Sequence, residues 1–165
     1  MKKQKHLIAL TYAAIIAALY VLLTFLSAGL ASGVIQLRLA EALSVLPYFT
    51  PAAIPGLFGG CILANLLTGC APWDVVFGSL ATLLGASVAY LIRRFRYLTP
   101  LPNILANTLI VPFVLRHVYG AEEALPFLFF TVGIGEILSS GVLGIALLLV
   151  LNRYAGRLFP SRSMK

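Results

Sequence analysis

Apolar stretches, divided by short polar or proline-glycine breaks, run through nearly the whole chain. They fall at residues 6–27, 34–49, 54–69, 73–92, 101–118 and 124–151. The breaks carry turn chemistry: Ser and Gly in 28–33, two prolines in 50–55, then Ala71-Pro72, Pro100 with Pro102, and Tyr119-Gly120. A helix needs roughly 20 apolar residues to cross a bilayer. The pattern therefore predicts six spans and an all-α polytopic membrane protein, with one integral domain over 1–165. The second stretch is the shortest and is polar at its start.

Composition sharpens this reading. Of 165 residues, 61% are hydrophobic and 10% are charged, against about 25% charged in an ordinary soluble domain. Six spans use most of the length, so no soluble domain fits beside them. The net charge of +7 would suit a nucleic acid, but its placement argues for a membrane. With the N-terminus inside, six spans put Lys2, Lys3, Lys5, Arg93, Arg94, Arg96, Arg153, Arg157, Arg162 and Lys165 in the cytoplasm, ten of the twelve basic residues. Arg38 and Arg116 fall near the outer side. Five spans would split the bases across both faces, so the positive-inside rule prefers six, with both termini cytoplasmic. Anionic lipid contact is a further use of that charge. The first apolar run follows three lysines but has no small-residue cleavage site. It is read as the first span, not as a signal peptide. Cys61 and Cys70 have no Cys or His at metal spacing and read as packing residues.

Small residues mark helix-packing faces. Gly56, Gly60 and Ala64 recur every four residues in the third span; Ala81, Gly85 and Ala89 do so in the fourth. The first span carries Ala9, Ala13 and Ala17 overlapping Ala14 and Ala18. That smooth face suits bundle packing, or a docking surface for another membrane protein. The pattern leaves both open.

Polar residues inside the spans are the candidate chemistry. Glu136 lies far from either end of the last run, where a carboxylate is costly, about 3 kcal/mol on insertion scales. It shares a face with Phe129, Gly133, Ser139 and Ser140. It fits a pocket wall, an ion pair with Arg116, or an interhelical hydrogen bond. Arg38 and Glu41 share a helical face near the outer surface, as a local ion pair or as a ligand gate. Trp73 and Asp74 open the fourth span, where an interfacial Trp and an Asp at a helix N-terminus are ordinary. They also face the same outer vestibule. Asn107 lies inside the fifth span, for an interhelical bond or a ligand edge. Asn103, after Pro102, reads as a cap or turn residue. Arg116 reads as snorkelling to the interface. There is no G-x-x-x-x-G-K-[ST], H-E-x-x-H or G-x-S-x-G. The chain thus has no P-loop for ATP, and little inventory for an enzyme.

The stretch VIQLRLAEALSVLPYFTPAAIPGLFGGCILANLL from Val34, followed by WDVVFGSLATL from Trp73, closely resembles the QueT family. These are substrate-binding (S) components of energy-coupling factor (ECF) transporters. The similarity covers roughly residues 7–150. It implies the six-helix S-component fold in a prokaryotic plasma membrane. It implies a ligand near the outer face, under the loop between the first two helices. The family's cargo would be a queuosine precursor, a 7-deazaguanine such as 7-aminomethyl-7-deazaguanine or queuine. Transport would need a membrane T subunit and two ATPase subunits, and the chain itself would hold no cofactor. S components dock the T subunit through A-x-x-x-A on the first helix, a pattern matched by Ala13/Ala17 and Ala14/Ala18.

A deazaguanine edge presents two parallel donors, which one carboxylate accepts together. Glu136 is expected in that role. Asn107 would serve O6 or the ring edge, Trp73 or Phe129 would stack on the ring, and an aminomethyl cation would want Glu41 or Asp74. The rival readings are a stand-alone secondary transporter with Glu136 carrying protons, an S component for another vitamin or nucleobase, and an intramembrane enzyme.

Overall fold

The structure, a computed structural model, describes residues 2–29 and 37–159. Among them the chain is helical with no strand, and the helices form six rods. They are α1 (Lys2–Leu26), a 3₁₀ helix (Leu39–Tyr48), α2 (Ala53–Leu67), α3 (Pro72–Leu91), α4 (Leu101–His117), and a long last rod. That rod joins α5 (Leu125–Glu136), a π-helical segment (Ile137–Leu143) and α6 (Gly144–Leu158). Four rods are long and apolar enough to cross a membrane: the first, fourth, fifth and sixth. They expose large apolar side chains such as Leu22, Leu84, Leu109 and Phe130. This is an all-α polytopic membrane protein.

The second rod differs from the spanning helix expected over 34–49. Residues 34–36 lie outside the described residues. The rest forms a ten-residue 3₁₀ helix containing Pro47, which lacks an N–H to donate. At about 2.0 Å per residue it reaches roughly 20 Å, short of the ~30 Å hydrocarbon core. It is nevertheless the hub of the fold. Ala40 through Pro47 are all buried, and α1, α2, α3, α6 and the π segment pack around it.

Close packing at glycines holds the rods. A Cβ at Gly56 would stand 2.8 Å from the Ala13 carbonyl oxygen, and one at Gly60 would stand 3.0 Å from Ala17 Cα. A Cβ at Gly85 would lie 2.7 Å from Asn103 Cα. The small-residue faces of α2 and α3 thus bring α1 and α4 to backbone contact. Gly69 after α2 (φ +74°) and Gly120 after α4 (φ +66°) take the left-handed conformation that ends a helix. At the far end of the last rod, Phe159 stacks on Phe49 and Tyr12. There the Tyr12 hydroxyl donates to the Leu158 carbonyl at 2.6 Å.

Candidate functional site

Three residues per 3₁₀ turn place Arg38, Glu41 and Ser44 along one edge of the hub. That edge meets the π segment. The Arg38 backbone N–H donates to Ser139 Oγ at 3.1 Å, and the Ser44 and Ser140 hydroxyls bond at 2.6 Å. A π turn is a wide i→i+5 bulge, often found at functional sites. Here it follows Glu136 directly, and Glu136, Ser139 and Ser140 are all buried.

Glu41 is the centre of the resulting cluster. Its Oε1 accepts from the Tyr20 hydroxyl of α1 at 2.5 Å, and its Oε2 accepts from Asn103 Nδ2 of α4 at 2.9 Å. The same Nδ2 lies 3.5 Å from Glu136 Oε2 and 3.5 Å from Ser140 Oγ. One amide therefore bridges two buried carboxyl groups on different rods. Asn107, one turn further along α4, stands beside Glu136. Its Nδ2 and the Asn103 Oδ1 are buried without a partner of hydrogen-bonding geometry. Such groups are uncommon in native interiors, where most buried polar atoms are satisfied. Here a donor and an acceptor are left open one turn apart.

A second polar group lies where α3 begins. Asp74 is buried, and its Oδ2 accepts from the Tyr119 hydroxyl at 2.9 Å. Tyr119 in turn accepts the Ala71 N–H at 3.1 Å. Partial desolvation, with the Asp74 carboxylate alongside, raises the Tyr119 hydroxyl above the ordinary phenol range, so it remains a donor to Asp74. Half-buried Arg38 lies within electrostatic reach of Asp74, Glu41 and Glu136. A cavity of about 280 Å³ opens beside it, lined by Tyr20, Thr24, Ser27, Arg38, Asn65 and Thr68 among others. Tyr20 and Arg38 connect this cavity to the acid pair.

The structure brings together Glu41, Glu136, Asn107 and Arg38, with Asp74 reached through Arg38. Two expected ring contacts fall elsewhere. Trp73 is 61% exposed and stacks on Phe77, because one residue along a helix turns the side chain away from the direction of Asp74. Phe129 sits two turns before Glu136 and packs edge-to-face on Phe113. Arg116 donates to the Ala121 carbonyl at 2.6 Å instead of pairing with Glu136. Glu41, expected near the outer surface, is 2% exposed. Ala13 and Ala17 are occupied within the chain by Gly56 and Gly60, whereas Ala14 and Ala18 face outward.

Sequence reasoning missed Tyr20, Ser44 and Asn103 as members of the cluster. Asn103 reads as a cap because it follows Pro102, yet it is 1% exposed. Its i,i+4 spacing to Asn107 on one helix face was the signal available. A family model described as QueT transporter matches residues 10–153. No curated protein and no solved structure matches the chain significantly. The family match spans most of the chain, and the chain belongs to the QueT transporter family.

Proposed function

We propose that this QueT-family transporter is the substrate-capture subunit, or S component, of an ECF-type importer. It takes up a queuosine precursor, a 7-deazaguanine such as 7-aminomethyl-7-deazaguanine or queuine. It binds this ligand at the outer face and delivers it inward when docked on a membrane T subunit and two ATPase subunits. In this reading both termini are cytoplasmic, the protein lies in a prokaryotic plasma membrane, and the cavity beside Arg38 opens outward. The sequence has no P-loop, so the partners hydrolyse the ATP. The outward pair Ala14 and Ala18 is the part of the alanine face left free for the T subunit.

The observation that carries the reading is the Glu41–Asn103–Glu136 cluster with its open donor and acceptor. Glu136 accepts the paired N1–H and exocyclic amine of the base. Asn107 Nδ2 donates to O6, and Asn103 Oδ1 remains free for a ring N–H. A membrane interior holds such groups at a cost that ligand contacts offset.

Calorimetry on the purified protein in detergent tests this, with 7-aminomethyl-7-deazaguanine, queuine, guanine and thiamin side by side. Tight binding confined to the 7-deazaguanines is expected. Binding of thiamin or guanine alone would overturn the substrate. The bridged acid pair also fits a stand-alone secondary transporter that carries protons. Uptake by cells lacking T and ATPase subunits would favour that rival, and its absence supports the S-component role.

A further inference from the structure

Three carboxyl groups are buried in the described residues around the hub: Glu41, Asp74 and Glu136. One cationic side chain, Arg38, stands among them. Every lysine lies within the first five residues or at the last position. Arg38 is felt by all three acids, and one positive charge cannot balance three negative ones. Asp74 accepts from the Tyr119 hydroxyl. The hydrogen-bond partners of Glu41 and Glu136 are neutral: the Tyr20 hydroxyl on Glu41, and one Asn103 amide shared at 2.9 and 3.5 Å. Neutral donors satisfy lone pairs but do not cancel charge. Two carboxylates so close in a low-dielectric interior repel each other, and buried charges are ordinarily paired. With both ionised, the pair is short of positive charge, beside the unpartnered Asn103 Oδ1 and Asn107 Nδ2.

Metal chemistry fits this place poorly. Among the described residues no group of three His, Cys, Asp or Glu side chains gathers in metal-holding geometry, whereas a hard divalent cation takes six or more oxygen ligands. An alkylammonium fits better, with three donors on one compact charge. Tyr20, a Glu41 partner, and Arg38 both line the cavity, so Glu41 stands close to a polar route.

We infer that the Glu41–Glu136 pair selects its ligand by charge. The transported base is bound as a monocation, with its ammonium on Glu41 and its neutral edge on Glu136. This rests on the deazaguanine reading above and adds a choice within that class. Bases with an amine on the 7-substituent are taken; neutral ones of the same size are refused.

The test is calorimetry on the full-length protein in detergent and sodium-free buffer. It compares 7-aminomethyl-7-deazaguanine with 7-cyano-7-deazaguanine, which has the same base edge and no positive charge. The amine should bind about 100-fold more tightly, the scale of a buried charge pair. Glu41→Gln should shrink that ratio by about tenfold or more. Equal affinity for the two bases overturns the charge inference and leaves the deazaguanine reading standing. Binding of neither overturns both. An undiminished ratio in folded Glu41→Gln also overturns the inference. Should Glu41→Gln not fold, the wild-type ratio decides alone.

Discussion

Two asparagines one turn apart on α4 hold different positions in the cluster, and substitution separates them. Asn103 is bonded to Glu41, so its loss strands a buried carboxylate. Asn107 Nδ2 lies beside Glu136 without a well-aligned bond, so its loss costs the fold less than that of Asn103. Asn107→Ala should therefore weaken deazaguanine binding by about tenfold, one hydrogen bond's worth, and lower the melting temperature less than Asn103→Ala does. An equal or larger fall would make Asn107 a structural residue instead. Under the proposed deazaguanine reading, Glu136→Gln exchanges one acceptor oxygen for a donor facing the base edge. It should weaken binding by about 100-fold, read by calorimetry; unaltered affinity would remove Glu136 from edge recognition. Much of this chemistry stood out in the sequence because Glu136 is alone in a long apolar run. Tyr20 did not, since a tyrosine in a leucine-alanine helix gives no sign of its direction. Trp73 lies apart from the cluster for a related reason: a residue beside Asp74 in sequence need not share its face.

At the level of elements, the glycines of α2 offer an internal control. A Cβ at Gly60 would meet Tyr20 Cβ at 2.8 Å and Ala17 Cα at 3.0 Å, whereas one at Gly59 would meet nothing within 4 Å. Gly60→Ala should destabilise the protein by about 1–3 kcal/mol, the scale of overpacking. Gly59→Ala should be nearly neutral. Thermal unfolding of both variants in one detergent checks the contrast; equal melting temperatures would mean that α1 yields freely at this crossing. Helical content, small-residue faces and break positions were legible because each follows from local composition. The 3₁₀ hub and the π segment were not. Apolar runs look alike in any helix, and what sets these two apart is their mutual contact. Arg38, Glu41 and Ser44 on one edge meet Glu136, Ser139 and Ser140 across about a hundred residues of chain.

For the whole molecule, the proposed S-component role makes the placement of the alanines a test that separates ligand binding from assembly. Ala13 and Ala17 hold α2, while Ala14 and Ala18 face out. Ala14→Trp with Ala18→Trp should leave deazaguanine affinity within about twofold, since surface changes are usually small in effect. The same pair should abolish co-purification with the T subunit. Retained co-purification would place docking on another face. The unequal lengths of the rods have a separate consequence for the lipid. α1 has 25 residues and α2 has 15, about 37 Å against about 22 Å of helix. Leu63, Leu66 and Leu67 of α2 are exposed, so this short side carries an apolar surface of its own. The hydrophobic belt is then thick on one flank and thin on the other. The bilayer thins beside α2 or the body leans, at a fraction of a kcal/mol per Å of mismatch. Acyl-chain length thereby becomes a control on this protein. In liposomes its melting temperature should peak at an intermediate acyl-chain length and fall on either side, and the tilt of its long helices should follow membrane thickness; a melting temperature independent of chain length would show that the mismatch is not felt.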